Sequence, residues 1–144
     1  MKKFVVGIVL AIVAAVFIAA CGSKTESGAK LPTGKTIKAI PLGSLTATLS
    51  NDSGQLKQGN QQFMVTFTDS SGKPVDVGAV SLNFHMAQMG TMAAMNDQTT
   101  FTTTETPGVY RGRATIEVAG EWQAQLAYEG PAGSGKTTFT VTVQ

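Results

Sequence analysis

From Ser44 to the end of the chain, apolar side chains return at every second position, and this period of two limits the fold more than any other feature. Side chains that alternate between two faces at each step need an extended backbone, because a helix brings them round every three or four residues. Leu45, Ala47 and Leu49 share one face, and Phe63, Val65 and Phe67 alternate with Met64, Thr66 and Thr68. Val80, Leu82, Phe84 and Met86 form a third row, with Ser81, Asn83 and His85 facing the other way. Gln98 to Thr104 is a Thr-rich candidate strand, and Tyr110, Ala114, Ile116 and Val118 stand opposite Arg111, Arg113 and Glu117. Trp122, Ala124, Leu126 and Tyr128 come next, and Phe139, Val141 and Val143 complete the chain. Asn51-Asp52-Ser53-Gly54, Asp69 to Pro74, and Pro107-Gly108 supply turn chemistry between the rows. About seven strands in one domain predict an all-β, immunoglobulin-like antiparallel sandwich over residues 44–144.

The first 43 residues have a different character. Lys2-Lys3 precede an uncharged, mostly apolar run from Phe4 to Ala20, and Ile18-Ala19-Ala20-Cys21 closes it. A basic start, a short apolar core and small closing residues are the parts of an export signal. The last four resemble the lipobox of bacterial lipoproteins, in which the cysteine is lipidated and becomes the new N-terminus. Residues 1–20 are therefore expected to be a lipoprotein signal peptide. Cys21 is expected to be the lipidated residue and residues 21–43 a flexible tether rich in Gly, Ser, Thr, Lys and Pro. The competing reading is an uncleaved membrane helix, and either one places the domain outside the cytoplasm, held to a membrane. Cys21 is the only cysteine, so lipidation leaves no thiol for a disulfide, a metal or a nucleophile.

Charge narrows the partners. Eleven Lys and Arg face nine Asp and Glu, and removal of Lys2 and Lys3 leaves nine against nine. No basic stripe remains to neutralise phosphates, so nucleic acid is not an expected partner. Gly130-Pro131-Ala132-Gly133-Ser134-Gly135-Lys136-Thr137 fits the GxxxxGKT pattern, but a phosphate cradle needs a helix directly after it. The next residues, Thr138-Phe139-Thr140-Val141-Thr142-Val143, are strand-like, so no nucleotide site is expected. With one histidine and no nucleophile elbow, the chain is not expected to be an enzyme.

One segment carries chemistry that the scaffold does not require. Between Phe84 and Met95 lie four of the six methionines (Met86, Met89, Met92 and Met95, three residues apart) beside the chain's only histidine, His85. Thioether sulfur is a soft, neutral donor that suits Cu(I), and imidazole can complete a mixed site. His85, Met89 and Met92 or Met95 are candidate metal ligands, with Met86 either a ligand or a core residue. Methionine also fills core gaps and makes adaptable contact surfaces, so a loop docking on an envelope protein is the alternative. Strand alternation turns Met86 away from His85 and prevents both from reaching one ion if the strand runs through them.

Gly59-Asn60, Phe63, Val65, Asp69, Gly72, Pro74-Val75, Val80, Leu82, Met86 and Met89, with Pro107-Gly108-Val109-Tyr110 and Gly120-Glu121-Trp122, resemble the FixH-related YtkA-like domain. That resemblance implies a small extracytoplasmic β-sandwich, often membrane-attached, in a family linked with copper handling and the maturation of copper-containing oxidases. A copper donor or acceptor would then be its partner. The family's Met-Pro-x-Met motif corresponds here to Met86-Ala87-Gln88-Met89, with the sulfur spacing kept and the proline absent. Met86 and Met89 are carried over from the family. Met92, Met95 and His85 are added from ligand chemistry.

Overall fold

The computed structural model describes residues 31–144, and the expected signal peptide and Cys21 lie outside them. The strands are β1 (Lys35–Leu42), β2 (Leu45–Asn51), β3 (Gly59–Thr68), β4 (Ala79–Met86), β5 (Met95–Gln98), β6 (Thr100–Thr103), β7 (Val109–Ile116), β8 (Gly120–Gly130) and β9 (Gly133–Val143). They form two antiparallel sheets, one ordered β1-β2-β3-β7-β6 and the other β5-β4-β8-β9. The all-β sandwich expected from the alternation is present, with nine strands among the described residues instead of about seven.

Both additional strands have a local cause. β1 occupies residues expected to be tether, and it pairs with β2 from Lys35↔Asn51 to Leu42↔Leu45. A register shift between Thr36 and Lys38 breaks its alternation, which disguises the strand in the sequence. Ile40 and Leu42 are nonetheless buried, each 5% exposed, so the ordered domain starts ahead of Ser44. The Thr-rich stretch is divided at Thr99, whose amide donates to the Leu82 carbonyl at 2.9 Å. β5 before it joins β4, while β6 after it joins β7 in the other sheet.

The facing rows of the two sheets make the core. Trp122, Phe67, Phe84 and Ile116 have no exposed surface, and Phe63 is 1% exposed. Phe63 of β3 meets Phe84 of β4 edge to face at 6.1 Å, joining the sheets. Phe67 meets Tyr110 at 5.8 Å and Tyr128 at 5.6 Å in the same manner. Each such pair contributes about 1 kcal/mol beyond its buried area. Val80, Val118 and Phe139, expected inside, are only partly buried and pack against the margin of this core.

Tyr110 also pins the loop before β4. Its hydroxyl donates to Asp76 Oδ1 at 2.9 Å and accepts from the Val77 amide at 3.2 Å. Asp76 also accepts from the Gly78 amide at 2.9 Å. The Gly78 amide, and then the Tyr110 hydroxyl, hold the Asp76 carboxyl below its ordinary range. Burial, followed by the bond to Asp76, pushes the Tyr110 phenol above its ordinary value. A phenol raised in the folded state favours folding fully below its unfolded pKa of about 10, and that contribution is lost as pH rises through the folded value. Urea unfolding at about pH 8 and about pH 11 should therefore show a smaller alkaline loss of stability in Tyr110→Phe than in the parent.

Candidate functional site

The Met/His segment forms the end of the β4–β5 hairpin. Opposed residues run Asn83↔Gln98, Phe84↔Asp97, His85↔Asn96 and Met86↔Met95. Beyond β4 the two arms meet once more at Met89↔Met92. The Met89 amide donates to the Met92 carbonyl at 3.2 Å, and the Met92 amide donates to the Met89 carbonyl at 2.9 Å. Gly90-Thr91 closes the chain between them, with Gly90 at φ +57°, the positive value tight hairpin turns require at their first central residue. The even three-residue spacing is thus folded into two methionine rungs.

The rungs occupy different environments. Met86 is 4% exposed, and its Cε lies 3.2 Å from where a Cβ on Gly120 would stand. Met95, opposite it, is half-buried and packs against the core. Met89 and Met92 are 59% and 44% exposed. Across a hydrogen-bonded antiparallel rung the Cα atoms stand about 5.5 Å apart, a gap two thioether side chains can close on one ion. The outer rung lies about 10 Å along extended backbone from the inner one. This geometry leaves Met89 and Met92 as neighbours on one exposed rung, and gives Met86 to the core.

His85 belongs to the outer face of its sheet, turned away from Met86 as the alternation requires. Asn96, His85, Gln123 and Thr140 lie in one line across the four strands. The His85 Nδ1 is 2.8 Å from Asn96 Oδ1. An amide oxygen only accepts, so a bond to Asn96 Oδ1 is made by the tautomer with its proton on Nδ1, which leaves Nε2 facing outward. A metal-binding imidazole is commonly oriented in this way. Its Cα is nevertheless about 13 Å along extended backbone from Met89. Asn96 was not identifiable from sequence as the residue that orients His85. Only the strand register reveals it.

No three His, Cys, Asp or Glu side chains gather at one point among the described residues. The side chains with donor atoms on the outer rung are the thioethers of Met89 and Met92, a soft and neutral type of donor. The GxxxxGKT match proves to be another hairpin. Gly130 opposes Gly133 across Pro131-Ala132, and Ser134 to Thr137 continue in β9 opposite Glu129 to Leu126. An extended ladder has no helix N-terminus to receive a phosphate. Lys136→Ala should shift stability by no more than about 0.5 kcal/mol, as a surface change should, measured by urea unfolding.

A family model described as YtkA-like matches residues 42–127, a span that includes the whole methionine hairpin. No curated protein and no solved structure matches the chain.

Proposed function

The chain belongs to the YtkA-like family, and on that premise we propose that it is a membrane-tethered extracytoplasmic domain that binds or passes on a soft metal, Cu(I), through Met89 and Met92. The observation that carries the reading is the outer rung. Two thioethers stand opposite each other at the exposed end of a hairpin, with Met86 and Met95 anchoring its base. Two methionines stand largely exposed there, and neutral sulfur donors hold Cu(I) without losing a proton. Lipidation of Cys21 would keep the domain at a membrane surface, where a copper donor or acceptor could meet the tip.

The test is a titration of Cu(I) into the full chain carrying Cys21→Ser, so that no thiol competes, against a colorimetric Cu(I) chelator. Withdrawal of copper from the chelator supports the reading, and failure to withdraw any sinks it. A second reading draws on the same exposure. Met89, Met92 and Leu31 are the exposed large apolar residues among those described, so the tip also suits docking on an envelope protein. On that reading Met89→Leu/Met92→Leu loses a binding partner and no metal.

A further inference from the structure

We propose that the Met89/Met92 rung is half of a metal site, and that a second copy of this chain supplies the other half. The inference rests on the soft-metal reading and concerns how many chains one ion needs. Soft sulfur ligands suit Cu(I), and sites of four sulfur donors arranged as a tetrahedron are a recurring soft-metal geometry. The tip offers two, since Met86 is buried in the core with its methyl group against Gly120. Met95 is committed to the same inner rung, and His85 lies on the sheet's outer face, bonded to Asn96. An ion that takes three or four donors therefore keeps open positions toward solvent on one tip.

The surroundings of the rung allow another tip to fill them. From Met86 to Asn96 the chain carries no ionisable side chain, so two tips approach without like-charge repulsion. Ala87, Ala93 and Ala94 beside the rungs are small and exposed. A Cβ placed on Gly90 would meet nothing within 4 Å, so the space beside the turn is open. Two identical tips related by a two-fold axis present the same two sulfurs to one point, the self-complementary arrangement that a symmetric pair needs. Four neutral thioethers then surround one cation, with no bond broken and no proton released.

Native mass spectrometry of the full chain with Cys21→Ser, released from detergent and titrated with silver(I) as a redox-inert soft cation, tests this. Without silver, single chains are expected. At half an equivalent, a species of two chains and one silver ion should dominate, and it should be lost in Met89→Leu/Met92→Leu. The melting temperature of that variant shows whether it is folded, and the ion-to-chain ratio of the parent decides the question without it. Saturation as one chain with one silver ion would overturn the pairing and leave the soft-metal reading standing. Absence of silver uptake by the parent would overturn both.

Discussion

Exchanging Met89 and Met92 together for leucine should lower Cu(I) affinity by on the order of 100-fold or more, while the fold stays intact. Loss of residues that merely orient metal ligands already costs about 10- to 100-fold, and these two would be the ligands themselves. Leucine keeps the apolar volume and removes the sulfur, so the change isolates donor chemistry from packing. Both side chains are exposed, and their rung is held by backbone hydrogen bonds that leucine also makes. Thermal unfolding should therefore change by no more than about 0.5 kcal/mol. Met86→Leu should behave in the opposite way. Its side chain is 4% exposed and packed toward Gly120, so repacking costs up to about 1.5 kcal/mol while metal affinity is unchanged. The same chelator competition and a thermal melt measure both variants. Equal metal loss in the two would contradict the division between inner and outer rungs.

The second large effect is on stability. Trp122→Ala should destabilise the domain by about 3–5 kcal/mol, the range for removing a large buried aromatic. Trp122 has no exposed surface, and its indole N–H donates to the Val118 carbonyl at 3.1 Å. Alanine leaves a cavity between the sheets and an orphaned carbonyl at the β7–β8 turn. Domains of this size are stable by only about 5–15 kcal/mol, so the loss is a large share of the total. The melting temperature should fall by on the order of 15 °C, read by circular dichroism. A drop of only a few degrees would mean that the core closes over the gap.

The core was legible in the sequence because alternation is a local signal. Phe63, Phe84, Trp122 and Leu126 each sit in a period-two row, and each is buried as its row predicts. β1 was hidden because its apolar residues, Ile37, Ile40 and Leu42, straddle a register shift, and because Lys35, Lys38 and Pro41 resemble tether composition. The Thr-rich stretch gave no sign of changing sheets at Thr99, since threonine suits either face of either sheet.

The candidate site was legible as a set of donors and not as an arrangement. A three-residue spacing suits a loop, one turn of helix or a hairpin equally well. The reversal at Gly90-Thr91 decides among them, because it places Met89 against Met92 and Met86 against Met95. Strand parity sets His85 against Met86, and the structure places them on opposite faces. The bond from His85 to Asn96 joins residues on different strands and needed the register.

X-ray absorption at the copper edge, on the full chain with Cys21→Ser loaded with Cu(I), addresses the ligands most directly. The expected first shell is sulfur alone, at about 2.3 Å as for other soft sulfur ligands. A first shell of nitrogen or oxygen, with the outer scattering of an imidazole ring, would contradict a thioether site at the hairpin tip.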